Sequence, residues 1–265
     1  MRFTDQKYLT QDQYKDASNL DARIAIHQRF STNPQGWYPW IFETLLKSPT
    51  NANILELGCG PGSMWKECAN LIPSGWVITL TDLSDGMVDA AWRNLVPTGR
   101  NFKFEKMDAQ SITYEDKVFD VVIANHMLYH VPDREKALKE IKRVLKDDGC
   151  LIATTVGERH MQEMYAWLKQ VNLNRRADMF ANPFILENGL DEIGKIFSRV
   201  EKKQYADNLE VTEVAPIINY IRSSIGAEDI SAEQLRIVEN EIGAEIERSG
   251  KVFITKDSGM FKAMK

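Results

Sequence analysis

Histidine, cysteine and proline are scarce in this chain: four, three and nine residues respectively among 265. Cys59, Cys68 and Cys150 are odd in number and show no Cys-x-x-Cys spacing, which argues against a disulfide framework and a cysteine-rich zinc site. No metal centre is expected, and the thiols read as reduced bystanders. Long apolar runs are also missing. None approaches the roughly 18 residues of a membrane-spanning helix, and the opening stretch MRFTDQKYLTQDQYKD lacks the charged-then-apolar layout of a secretory leader. The sequence therefore reads as a soluble, cytoplasmic protein with no membrane partner. Charge of one sign is never concentrated: 33 basic and 38 acidic residues, a formal net charge of −5, are scattered with no basic tail. A nucleic-acid partner is accordingly not indicated. Internal repeats, low-complexity tracts and flexible linkers are absent, and nothing fixes an oligomeric state.

What is present, 43% apolar residues, is enough for one sizeable core and a smaller cap. From residue 53 to 155 short β-rich runs alternate with helical patterns. NILEL (53–57), WVITLTD (76–82), FKFEKMD (102–108), FDVVIAN (119–125) and CLIATT (150–155) are the strands, and a helix is expected over 63–71. In DREKALKEIKRVLKDDG, Ala137, Leu138, Ile141, Val144 and Leu145 recur at helical spacing, with Asp133 placed to cap the start and Gly149 to end it. Apolar strands separated by helix-length crossovers predict a doubly wound α/β fold, its mostly parallel sheet covered on both faces. Beyond 156 the expectation is helices near 158–170, 187–197, 213–225 and 231–248, with a strand at 199–207. The closing KVFITKDSGMFKAMK reads as two strands joined by a tight turn at Asp257-Ser258-Gly259. The chain thus divides into an N-terminal helical lid segment (1–47), a Rossmann-like core (48–156), and the remaining strands with helical cap insertions in the same domain (157–265).

The stretch NILELGCGPGS (53–63) sets Gly58, Gly60 and Gly62 after a strand and before a helix, where backbone N–H groups approach a ligand closely. The dinucleotide fingerprint is G-x-G-x-x-G, whereas this loop reads E-x-G-x-G-x-G. Glu56 at the strand's end would receive a pyrophosphate poorly and an amino group well. Asp82, at the end of the second strand, stands where a carboxylate takes both hydroxyls of a ribose. Asp108, ending the third, is placed to accept from an exocyclic amine. Either acid alone would serve as a cap or a solvated loop residue. Their coincidence with the glycine loop at successive strand ends is the signal.

At these residues the chain resembles the class I S-adenosylmethionine-dependent methyltransferases of the small-molecule type. ILELGCGPG is similar to their first motif, Asp82 to the acid ending their second strand, MDAQSI to their adenine contact, and FDVVIANHMLYHVPD to their fourth-strand segment. The resemblance covers about residues 50–156. It implies a seven-stranded sheet with an antiparallel final strand and S-adenosyl-L-methionine as cofactor. Glu56 and the backbone of Gly58, Cys59 and Gly60 would hold the methionine end, Asp82 the ribose, and Asp108 with Ala109 the adenine. Leu83 and Met87 would flank the adenosine.

Methyl transfer is a displacement that positioning and water exclusion can drive, and a base is needed only when the acceptor loses a proton. NHMLYHV places Asn125, His126, Tyr129 and His130 just beyond a strand's C-terminal end. His130 or His126 can take a proton from a hydroxyl or amine; the alternative is that these residues bind loops or border the cofactor. Upstream, DARIAIHQRFSTNPQGWYPW collects Arg23, His27, Arg29, Trp37, Tyr38 and Trp40. Arg29 is a candidate fork for the cofactor's carboxylate. The plainer account makes Ile24 and His27 with Ala25, and Ile26 with Phe30, the inner side of a lid helix. The stripe Met161, Met164, Tyr165, Trp167 and Leu168 reads as lid packing.

The expected function is methylation of an oxygen, nitrogen or carbon of a small metabolite. The alternatives are a methyltransferase acting on RNA or a carrier protein, and a cofactor-binding protein without methyl transfer. An NAD-dependent oxidoreductase is disfavoured by Glu56 and the glycine spacing.

Overall fold

The inner strands form where the apolar runs place them because they are buried on both faces, while the two edge strands keep exposed residues. In the computed structural model, which describes residues 2–173 and 184–265, the strands are β1 (Asn53–Leu57), β2 (Val77–Asp82), β3 (Phe102–Lys106), β4 (Phe119–Asn125), β5 (Leu145–Val156), β6 (Arg199–Val211) and β7 (Val252–Met264). They make one seven-stranded sheet in the order β3-β2-β1-β4-β5-β7-β6. β1 to β5 are parallel, and β7 runs antiparallel to both neighbours. The helices are α1 (Gln6–Tyr8), α2 (Ser18–Phe30), α3 (Trp37–Leu45), α4 (Ser63–Glu67), α5 (Asp85–Leu95), α6 (Arg134–Val144), α7 (Gln162–Gln170), α8 (Gly189–Gly194), α9 (Val214–Ser223) and α10 (Ala232–Ser249). None of the described helices is long and apolar enough to cross a membrane.

Alternate side chains of one strand feed opposite layers. Leu55, Val122 and Leu151 face α6 through Leu138 and Ile141, while Ile54, Val121 and Ile152 face α3 and Trp65. The chain leaves β1 toward β2 on one side and returns to β4 on the other. The carboxyl ends of β1 and β4 therefore border the crevice where ligands lie in open α/β sheets.

A third apolar cluster builds the cap. β7 pairs with β5 only from Ser258 to Met264, but with β6 along its whole length. Its first residues, with the end of β6, overhang the carboxyl edge of the parallel strands as a two-stranded ribbon. Leu209, Val211, Val252 and Ile254 of this ribbon bury themselves against Ile26 of α2, Leu168 of α7, Ile217 and Ile221 of α9, and Ile242 of α10. The cap is therefore welded to the sheet.

Three expectations need correction. The closing segment is one strand with no turn: Ser258 and Gly259 pair in register with Tyr205 and Gln204. Glycine is required at 259 by close approach, since a Cβ there would lie 2.5 Å from the Lys203 carbonyl oxygen. The helix that Asp133 caps, accepting from the Lys136 amide at 2.9 Å, ends at Val144. Leu145 and Gly149 belong to β5, so Gly149 terminates nothing. β6 extends to Val211, four residues past the strand expected there. Residues 174–183, between the helices expected near 158–170 and 187–197, lie outside the described residues.

Candidate active site

Above the carboxyl edge lies a cavity of about 840 Å³ whose lining includes every site residue expected from the sequence except Arg29. Its floor is the glycine loop. Gly58 and Gly60 adopt φ of +66° and +54°, and a Cβ on Gly58 would come within 2.8 Å of the Met127 Cβ, so the loop's shape demands glycine. The Cys59 amide donates to the Thr81 carbonyl at 2.8 Å, fixing the loop to β2, and burial pushes the Cys59 thiol well above its usual value. Cys59 contributes backbone shape to the site; its thiol is inert.

Glu56 is buried at the end of β1. Trp65 Nε1 donates to its Oε2 and Asn125 Nδ2 donates to its Oε1 at 2.9 Å. Burial raises its carboxyl to about 7 against these bonds. Asn125 thus acts on Glu56, while itself bordering the cavity. Asp82 accepts from the Gly60 amide at 3.0 Å on one oxygen and from the Ser84 amide at 2.9 Å on the other. Burial raises it too, and each oxygen keeps a lone pair for a further donor. Asp108 is more fully engaged. It accepts from Gln6 Nε2 at 3.0 Å, from the Gln110 amide at 2.9 Å, and from Gln110 Nε2 at 3.0 and 3.1 Å on its two oxygens. Burial works to raise it, but these bonds prevail and hold it below the usual carboxylate value. An amine reaches Asp108 only if Gln6 or Gln110 yields. Leu83, Met87 and Ala109 complete an apolar slot between the two aspartates.

All four histidines of the chain line the cavity. His130 Nδ1 lies 2.8 Å from the Phe3 carbonyl oxygen, which only accepts, so Nδ1 carries the proton. Nε2 then accepts from the Tyr14 hydroxyl at 3.0 Å. Burial pulls His130 down to about 4, leaving it neutral near pH 7. His126, at φ +48°, packs its ring 5.2 Å from Trp37 and is likewise pulled to about 4 by burial. Tyr129 sets its ring edge against His130, centroids 4.5 Å apart, and burial raises its phenol far beyond reach near neutrality. Of His126, Tyr129 and His130, the last has a hydrogen-bonded route toward the cavity, through Tyr14. No sequence signal joins Tyr14 to His130, 116 residues away.

Arg29 corrects the sequence expectation. It pairs with Glu213 at 2.5 Å, both side chains half exposed, and does not reach the cavity. The arginine of α2 that does is Arg23, and Leu20, Ile24, His27 and Gln28 of the same helix also line it. Met164, Tyr165 and Leu168 line the cavity as part of the lid packing expected of that stripe.

The glycine floor, an acid suited to an ammonium, an acid with lone pairs for a diol and an apolar slot fit an aminoacyl nucleoside such as S-adenosylmethionine. Comparison with known proteins agrees. Residues 55–153 match the model of a methyltransferase domain family. A malonyl-[acyl-carrier protein] O-methyltransferase of Legionella pneumophila is 30% identical over 151 residues, 53% of this chain and 51% of that protein. A demethylmenaquinone methyltransferase of Lactobacillus johnsonii is 36% identical over 146 residues, 51% of this chain and 58% of that protein. The match spans about half the length of these curated relatives. The solved structure of the [4+2]-cyclase SpnF shares the fold with a TM-score of 0.62 at 18% identity, covering 98% of this chain and 96% of that one. Residues 55–153 thus match a methyltransferase domain, and the strand order is that of the class I S-adenosylmethionine-dependent methyltransferases which the motifs resemble, with S-adenosyl-L-methionine the methyl donor that the match implies.

A cofactor ammonium held by Glu56 would make cofactor affinity depend on pH. With its carboxyl near 7, the acid form prevails below that pH and the carboxylate above it. A ligand ammonium favours the carboxylate, so S-adenosylhomocysteine affinity is expected to rise roughly tenfold from pH 6 to 8, as the competent fraction does. Calorimetric titration across that range checks it, and Glu56→Gln should flatten the profile. The same shift means that the free protein's stability from this group declines between pH 4.5 and 7 and is level above.

Proposed function

We propose that this chain is an S-adenosylmethionine-dependent methyltransferase that transfers a methyl group to an oxygen, nitrogen or carbon of a small-molecule acceptor beneath the helical cap. One observation carries the reading: a single cavity runs from the strand-end acids to the cap residues, its 840 Å³ near the upper end of the roughly 300–1,000 Å³ of ligand pockets. That leaves room for an acceptor beside a cofactor.

The bound cofactor supplies an activated methyl group on a sulfonium. Glu56 holds the ammonium end, with Asn125 and Trp65 fixing its carboxylate. The Gly58–Gly60 backbone lies beneath that end, Asp82 takes the ribose hydroxyls, and Asp108 with Ala109 borders the adenine between Leu83 and Met87. The cap excludes water and aligns the acceptor, the main sources of rate in a displacement of this kind. Where the acceptor gives up a proton, the Tyr14 oxygen receives it as the Tyr14 proton passes to His130 Nε2. Burial that holds His130 near 4 keeps Nε2 unprotonated at working pH and also weakens it as a base. His130→Ala is expected to lower kcat roughly tenfold or more while leaving S-adenosylhomocysteine affinity within about twofold. An unchanged kcat on an identified acceptor would remove the relay.

The test of function is transfer of labelled methyl from S-adenosylmethionine into a cell extract, separated into metabolites, RNA and protein. Label in the small fraction supports the reading, and label in RNA or protein replaces it with the macromolecular alternative. No label, with S-adenosylhomocysteine bound, favours a cofactor-binding protein without transfer. Since fold alone does not decide activity, turnover must be measured.

A further inference from the structure

The carboxylates that line the cavity are concentrated away from its cap. Glu56, Asp82 and Asp108 sit at strand ends, Glu67 ends α4 beside the glycine loop, and Asp229 pairs with Arg2 at 2.8 Å. The cap side contributes Arg23, Lys256, His27 and His160 instead, and Lys256 is already matched by Asp207 at 2.5 Å. Arg23 has no carboxylate partner among the described residues. Its Nε and Nη2 are sealed from solvent and meet no acceptor there, and neither does Nδ1 of His27, one turn further along the same face of α2.

Nε and Nη2 form one edge of the guanidinium, their N–H bonds pointing the same way. The chain shows elsewhere what this edge receives. Arg134 sets Nε and Nη2 on the two oxygens of Glu192 at 2.9 and 3.3 Å, and Arg143 sets the same pair on Glu140 at 2.8 and 2.8 Å. Each is a two-point fork on a planar carboxylate. Arg23 presents that edge with its partner missing.

Its position favours the acceptor's end of the cavity. The Arg23 guanidinium lies 5.4 Å from the Tyr14 ring centroid and interacts electrostatically with Tyr129, Tyr220, His27 and His130. We propose that Arg23 anchors a carboxylate carried by the methyl acceptor, which makes the acceptor a small organic acid. The assignment deepens the methyltransferase reading and rests on it. The anchored carboxylate orients the molecule, and the methylated atom lies elsewhere on it, because an oxygen paired to a guanidinium is a poor nucleophile.

The experiment titrates S-adenosylhomocysteine and 5′-methylthioadenosine, which lacks the amino-acid carboxylate, into the full chain and into Arg23→Gln and Arg23→Lys. Benzoate, phenylacetate and butyrate, each beside its primary amide, and inorganic phosphate are then titrated into the S-adenosylhomocysteine complexes. The expected result is unchanged S-adenosylhomocysteine affinity. At least one carboxylate should bind the wild type better than its amide, with a loss of about tenfold or more in Arg23→Gln and only partial recovery in Arg23→Lys. Carboxylates binding wild type and Arg23→Gln alike, no carboxylate binding above its amide, or phosphate binding in their place would each overturn it. So would a loss of S-adenosylhomocysteine affinity with 5′-methylthioadenosine unaffected, which would assign Arg23 to the cofactor's own carboxylate. Failure of the wild type to bind S-adenosylhomocysteine at all would overturn the underlying reading, and the acceptor assignment with it.

Discussion

Asp82→Ala is expected to weaken S-adenosylhomocysteine binding by about 100-fold. Two hydroxyl hydrogen bonds to a buried carboxylate are lost, each of a kind that contributes roughly 1.5–3 kcal/mol, and compensation by water reduces the sum. The same substitution strips an acceptor from the Gly60 and Ser84 amides, so the loop itself loosens. The two effects separate with a second ligand. 2′,3′-Dideoxyadenosine has no hydroxyls for Asp82, and its binding should respond to the substitution only through loop disorder. Asp82→Asn, which keeps one carbonyl acceptor, should fall between wild type and alanine. Equal losses for the hydroxylated and dideoxy ligands would mean that Asp82 is a loop brace and that the ribose is held elsewhere.

The floor of this site was legible in the sequence because it is local. Glu56, the glycines and Asp82 lie within one strand-loop-helix unit and the next strand end, where spacing alone sets geometry. The cap was not, for reasons specific to its residues. Choosing between Arg23 and Arg29 depends on the rotation of α2. Residues Ile24 and His27, read as the inner side, already place Arg23 inward at four residues from His27 and Arg29 nearly opposite. The arginine was assigned by charge where helical phase decided. Likewise Asp257-Ser258-Gly259 has the composition of a turn, but Gly259 is there for close approach to Lys203 within a sheet. Tyr14 with His130, and Lys256 with Asp207, are contacts between distant segments, and no periodicity announces them.

Those long-range contacts also explain how the lid is held. The segment after α2 ends on Asp207 of β6. Asp207 accepts from Ser31 Oγ at 2.7 Å, from the Thr32 and Asn33 amides at 3.0 Å each, and from Lys256 Nζ on the neighbouring strand. One buried carboxylate thus joins the lid helix to the overhanging ribbon, and its partner Lys256 faces the cavity. The anchoring of α2 and the charge that lines the cavity on this side share a residue pair.

Asp207→Ala should therefore be among the most destabilising single changes in the chain. Both members of the pair are buried, and removing one leaves an uncompensated ammonium, a cost of about 3–5 kcal/mol. For a chain of this size that corresponds to a fall of roughly 10 °C in the thermal midpoint. Hydrogen exchange should quicken across residues 18–33, because the Thr32 and Asn33 amides lose their acceptor. Asp207→Ala with Lys256→Met should recover much of the stability, since the dominant cost is the stranded charge, but should not restore protection at Thr32 and Asn33. Acid acts in the same direction. Burial pushes the Asp207 carboxyl upward, but the Lys256 and Ser31 bonds overcome it and hold it below the usual carboxylate value. Its contribution is therefore full above pH 4 and is lost as pH falls through the lowered value. A midpoint lowered by only a degree or two, with exchange at residues 18–33 unchanged, would show that the apolar contacts of Ile26 hold the lid without Asp207.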